Sequence, residues 1–145
     1  MSDTRQIIPI TGLAITVAFA ACMVATMHAQ TTVVSGDFTN AGVAEVHDAQ
    51  GQVLLRGQFN VSDEQDDDDV ERKADLRPAG TDSDAAGEAE VEIPKAAPGQ
   101  QEIEFSVDNL AAGTSVTFLI DGQVIGMASV DRRGRAELEV TLPSR

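Results

Sequence analysis

Tryptophan and tyrosine are absent from the 145 residues, cysteine occurs once, and 10 basic side chains are set against 24 acidic ones. A single cysteine cannot form a disulfide within the chain. The two histidines, His28 and His47, are too few and too far apart for the clustered ligands that zinc or copper sites need. Without tryptophan or tyrosine, few aromatic platforms remain for stacking on sugars. The net charge of −14 repels a phosphate backbone and excludes general nucleic-acid binding. There is no G-x-S-x-G run and no glycine-rich phosphate loop. No activated nucleophile with a positioned base is recognisable. The expectation is a protein that is not an enzyme, with no catalytic residue, no cofactor and no metal site.

What is present begins with an uncharged apolar run, residues 7–27, behind the short polar head MSDTRQ. This is the form of a secretory signal peptide or an N-terminal anchor. Three outcomes stay open. Cleavage could follow Ala20, after the small-x-small pattern Ala18-Phe19-Ala20, or Ala29. Cys22, preceded by Phe19-Ala20-Ala21, resembles the lipobox of a bacterial lipoprotein and is a lipidation candidate. The run is also long enough to remain as an anchor, since about 20 apolar residues span a bilayer. Each outcome places residues 30–145 outside the cytoplasm, whether periplasmic, secreted or membrane-anchored. Length allows a single domain there, since domains commonly take roughly 100–150 residues.

From residue 31 onward short alternating runs recur between Gly, Asp, Asn and Pro, the pattern of an all-β chain. Strands are expected at 31–36, 43–48, 52–59, 70–77, 88–93, 101–107, 114–120, 123–130 and 135–142. Asp121-Gly122 is a type I′ hairpin signal, because both central positions need positive φ. A two-residue loop there sets Phe118 opposite Ile125 and Val116 opposite Met127. Even-length turns at 110–113 and 131–134 extend this into a four-stranded antiparallel meander. Its apolar face carries Ile103, Phe105, Val107, Val116, Phe118, Ile120, Ile125, Met127, Leu138 and Val140. The opposite face carries Glu102, Glu104, Ser106, Ser115, Thr117, Gly126, Ala128, Glu137 and Glu139. The N-terminal strands, with Val34, Val46, Val53, Leu55, Phe59, Ala74, Leu76, Val91 and Ile93, are expected to cover the apolar face. The fold expected is a small antiparallel β-sandwich, Ig-like or a flattened barrel.

The pattern G-x-A-E-[VL] occurs at 42–46, 87–91 and 134–138, each after a turn-rich stretch. Residues 113–142, GTSVTFLIDGQVIGMASVDRRGRAELEVTL, are similar to the terminal hairpins of bacterial Ig-like (Big-type) domains. The shared places are Gly113, Val116, Thr117, Phe118, Asp121-Gly122, Ile125-Gly126, Asp131, Gly134, Ala136 and Leu138. The resemblance covers about a fifth of the chain. It implies an Ig-like sandwich used for adhesion, spacing or display, and it carries over no catalytic residue.

Four features are candidates for contact. The acidic run 62–69 holds six carboxylates, Asp63, Glu64 and Asp66–Asp69. It reads as a solvated loop, or else as a source of oxygen ligands for calcium, although it lacks the alternation and central glycine of an EF-hand. The small, polar segment 78–87 reads as a flexible loop. Arg132, Arg133 and Arg135 cluster at one turn, opposite in sign to the rest, as solubilising charges or as a contact for an acidic partner. Ser106, Thr117, Gly126 and Ala128 form a small flat face suited to docking. The expected role is a non-enzymatic surface-interaction or structural module with an unknown protein or cell-surface partner. The alternative is a calcium-tuned binding domain. Removing residues 1–29 takes away Arg5 and Asp3 and leaves the charge at −14, assigned to the acidic loop and a solvated sheet face.

Overall fold

The computed structural model describes residues 30–31, 35–61, 69–80, 84–97 and 99–143. Its strands are β1 (Gln30–Thr31), β2 (Val43–His47), β3 (Val53–Gln58), β4 (Asn60–Val61) and β5 (Asp69–Pro78). They continue with β6 (Ala86–Pro94), β7 (Gln100–Asp108), β8 (Ser115–Ile120), β9 (Gln123–Ser129) and β10 (Ala136–Pro143). The chain is all-β among the described residues, and every pairing is antiparallel. The hydrogen-bonded order is β1-β9-β8-β2-β3-β5-β6-β7-β10, with β4 added to β5. A first sheet, β1-β9-β8-β2-β3, joins a second, β5-β6-β7-β10, through the short ladder Leu55↔Pro78 and Arg56↔Arg77. The result is a small β-sandwich curled nearly into a barrel, with the seam between β9 and β10.

The expected elements at 43–48, 52–59, 70–77, 88–93, 101–107, 114–120, 123–130 and 135–142 are all strands, with ends displaced by one or two residues. The stretch 31–36 is different: Thr31 belongs to β1, residues 32–34 lie outside the described residues, and residues 35–42 form an irregular strap. Val34 and residues 62–68 lie outside the described residues.

The four-stranded meander is corrected. β8 and β9 form the hairpin, and Asp121 (φ 49°) and Gly122 (φ 79°) take the positive φ values of its turn. β7, however, pairs with β6 and β10 rather than with β8. The cause lies in the connection: Leu110 is buried instead of sitting in a solvated loop, and its N–H donates to the Gly134 carbonyl at 3.0 Å. An apolar residue there pulls the chain over the core to the opposite sheet. Phe105 and Phe118 therefore meet across the sandwich, ring centroids 4.8 Å apart and tilted by 38°. They are not neighbours along one ladder.

A second correction concerns β9. A bulge lies between Phe118 and Leu119, so Phe118 pairs with Gly126 and Val116 with Ala128. An extra residue on one strand reverses which side chains face inward beyond it. Met127 is consequently 40% exposed, while Gly126 and Ala128 are buried. The other nine members of the expected apolar face are buried. Of the expected covering residues, Val46, Leu55, Phe59, Ala74, Leu76 and Val91 are in the core, Ile93 packs against it, and Val53 is exposed.

The three G-x-A-E-[VL] segments share one geometry. Ala44, Ala89 and Ala136 point inward, as do Val46, Val91 and Leu138, while the glutamates between them point out. Small Ala74 and Ala89 lie beside Phe105 in the second sheet, leaving room for the ring pair.

Candidate interaction surface

The second sheet presents its outer side chains in cross-strand rows. One row is Glu71, Glu92, Glu102 and Thr141; the next is Lys73, Glu90, Glu104 and Glu139; the third is Asp75, Glu88, Ser106 and Glu137. Nine of these twelve positions are carboxylates and one is an ammonium group. The inward positions of the same strands (Val91, Ile103, Ala89, Phe105, Leu138, Val107) are buried, so alternation puts these nine carboxylates on the outer face. Like charges directly opposite one another destabilise a sheet. The lattice is therefore held in place by the core beneath it.

Lys73 sits where it offsets most of this repulsion. Its ammonium is in contact with Glu71 Oε1 and lies 3.7 Å from Glu90 Oε2. The hydrogen bond to Glu71, then the charge of Glu90, raise the Lys73 pKa above its ordinary value. Glu90 is raised above the usual carboxylate range, chiefly by burial, with Glu71 and Glu88 adding to the shift and Lys73 opposing it. Glu92 is raised by burial first, then by the charges of Asp69, Glu102 and Glu71. A depression of about 340 Å³ lies over Gly87, Glu88, Glu90, Glu104, Ser106 and Asp108. Ser106 is the small outward side chain among the long carboxylates that rim it.

The features singled out in the sequence fall in several places. Cys22 and all of the acidic run except Asp69 lie outside the described residues. Asp69 opens β5 and accepts a hydrogen bond from the Lys95 N–H at 3.1 Å. Residues 78, 86 and 87 of the expected flexible loop belong to β5 and β6. His47 Nε2 is 3.1 Å from Glu45 Oε2, and Glu45 Oε1 is 3.3 Å from Arg56 Nε, a charge network on the first sheet. Among the described residues no three His, Cys, Asp or Glu converge to hold a metal ion. The small docking face is overturned: Ser106 is on the second sheet, Thr117 on the first, and Gly126 and Ala128 are buried.

At the Asp131–Gly134 turn, the Asp131 carboxylate accepts from the Arg133 and Arg135 N–H groups at 2.7 and 2.9 Å. These bonds, that of Arg135 first, lower its pKa. Arg135 Nε binds Asp108 Oδ1 at 2.6 Å, while Arg132 and Arg133 are exposed. At the other end the strap is fastened by three side chains whose roles were not legible in the sequence. Fully buried Gln101 accepts from the Phe38 N–H at 2.7 Å and donates to the Gly36 carbonyl at 2.8 Å. Arg72 Nε donates to the Thr39 carbonyl, and the Asp121 carboxylate accepts from the Gly42 and Val43 N–H groups. A glutamine at an inward-facing strand position was the one available signal.

No family model, no curated protein and no solved structure matches this chain.

Proposed function

We propose that residues 30–145 form an extracytoplasmic, non-enzymatic module that works by surface contact, and that its contact surface is the carboxylate lattice of the second sheet. The partner that fits is a cationic protein or cell-surface segment. The observation carrying this reading is the lattice itself: nine carboxylates fixed in register, with the charged forms of Glu90 and Glu92 disfavoured by burial first and by neighbouring carboxylates next. A cationic partner would relieve that repulsion on binding. The Ig-like reading of residues 113–142, with its implied role in adhesion or display, belongs with this proposal.

Titration with a fluorescent oligolysine tests it. Replacing Glu90, Glu104 and Glu139 by Gln is expected to weaken binding by tenfold or more, at roughly 1 kcal/mol or less per charge pair. Replacing Asp63, Asp66 and Asp67 by Asn removes the same charge elsewhere and serves as the control. Equal losses from both triplets would show attraction to net charge alone and end the proposal.

A second reading, a calcium-tuned domain, is favoured by the position of Asp69, which ends the acidic run and adds its charge to the environment of Glu92. In that case millimolar calcium raises the melting temperature. An unchanged melting temperature removes this reading.

A further inference from the structure

The strand order leaves β10 with a ladder on one side. It pairs with β7, and among the described residues nothing pairs along its other edge. The first sheet, by contrast, continues past β9 to β1. Two observations give the backbone direction along β10. The Arg135 carbonyl accepts from the Asp131 N–H at 2.7 Å, so it points toward β9 and away from β7. Alternation then turns the N–H and C=O groups of Glu137, Glu139 and Thr141 to the same open edge. Pro143 is next in that series, and a proline is tolerated on an edge strand where its missing N–H faces off the ladder.

The seam beside this edge is bounded at both ends. Where β9 and β10 part, a cavity of about 290 Å³ opens, its lining including Ala128, Ser129, Asp131, Arg133, Arg135 and Glu137. Two acids and two arginines balance there. At the other end the strap crosses at Gly36, whose carbonyl is held by Gln101 and which lies against the Gln123 side chain. The edge from Glu137 to Thr141 lies between the two. Glu137 and Glu139 are exposed, and each ends one of the carboxylate rows. Charged side chains on an edge strand guard it against pairing with its own kind. Two β10 strands joined edge to edge would bring glutamates together, which disfavours a second copy as the occupant. A strand with cations at alternate positions meets no such barrier, and it continues the rows with the sign reversed.

We propose that the β10 edge takes up an extended cationic segment of a partner protein as an added antiparallel strand, with alternate Lys or Arg side chains beside Glu137 and Glu139. This rests on the reading of the carboxylate lattice as the contact surface, and adds how the partner is held: backbone bonds along the edge supply affinity, and the glutamates select the sequence. The probe is a fluorescent peptide, Thr-Lys-Val-Lys-Val-Lys-Thr, titrated against the full chain by anisotropy. In an antiparallel strand the residues opposite Glu137 and Glu139 are the ones whose N–H groups bond β10. Backbone N-methylation of two lysines therefore removes those donors and keeps the charge, whereas N-methylation of the two valines alters only the far side of the peptide. Methylating the lysines is expected to weaken binding about tenfold or more, and methylating the valines by less than about twofold. Hydrogen exchange at the Glu137, Glu139 and Thr141 amides should slow on binding, a change that ionic contact with side chains alone does not produce. Methylated peptides that bind alike, with exchange at these amides unchanged, overturn the strand addition. If oligolysine binding nonetheless falls when Glu90, Glu104 and Glu139 are replaced by Gln, the lattice reading stands and only the strand addition fails. If neither the peptide nor oligolysine binds, both fall together.

Discussion

At the scale of single residues, Gln101 is the polar side chain on which the strap depends. It is fully buried, and both ends of its amide serve backbone groups of a segment with little ladder of its own. Gln101→Leu removes both partners and leaves the Phe38 N–H and the Gly36 carbonyl unpaired. The expected cost is about 2–4 kcal/mol. Urea unfolding measures it, and a loss below about 0.5 kcal/mol would show that the strap is held mainly by Phe38. Two turn glycines separate conformational strain from crowding. Gly122 has φ 79° and open space around an added Cβ, so Gly122→Ala should cost about 1 kcal/mol. Gly134 has φ 83°, and its Cβ would lie 2.9 Å from the Leu110 carbonyl oxygen, so Gly134→Ala should cost more. Equal melting temperatures for the two variants would contradict this ranking. Position 134 was legible from sequence as a turn glycine. Its contact with Leu110 was not, because that contact depends on where the β7–β8 connection travels.

The elements show the same division. Hairpin β8–β9 could be read locally, since Asp121-Gly122 specifies the turn and alternation specifies the faces. The bulge that turns Met127 outward leaves no sign in periodicity, because one extra residue costs little locally and is settled by packing. The second sheet's outer face was half legible: Glu102, Glu104, Glu137 and Glu139 shared a face on the expected register, but strand pairing was needed to add Glu88, Glu90 and Glu92. A pH dependence follows from this face. Glu90 and Glu92 have raised pKa values, so the folded chain holds more protons than the unfolded one just above the ordinary carboxylate range. Stability therefore increases as pH falls through that window. Asp37 is lowered by its hydrogen bonds from Thr39, and Asp131 by those from Arg135 and Arg133. Their contribution is lost as pH falls below the ordinary range. The melting temperature should consequently rise as pH falls from neutrality toward the ordinary carboxylate range, and peak on the acidic side before the Asp37 and Asp131 contributions are lost. Glu90→Gln should raise stability at pH 7 by roughly 0.5 kcal/mol, with the gain vanishing as the pH approaches the peak. A melting temperature that falls steadily from neutrality would refute the raised values.

Over the whole molecule, charge is distributed along and across the sandwich. One sheet carries the carboxylate lattice, one end carries the arginine turn, and Asp69 lies at the other end. Self-repulsion at a net charge of −14 opposes the folded state, and dissolved salt screens exposed charges beyond about 10 Å at 0.1 M. Raising sodium chloride from low concentration should therefore increase the melting temperature of this chain. A decrease would place the favourable ion pairs, such as Arg135 with Asp108, above the repulsion of the lattice. Sequence alone determined the all-β class, nearly every strand and the tight turn at Asp121-Gly122, because alternation and positive-φ residues act over a few neighbouring positions. It also determined the scarcity of chemistry-bearing side chains. The tertiary structure decided which strands are neighbours, that Phe105 meets Phe118 across the core, and that nine carboxylates share one face. Those outcomes depend on where buried Leu110 carries the chain and on how two sheets close over a common core, which no local pattern encodes.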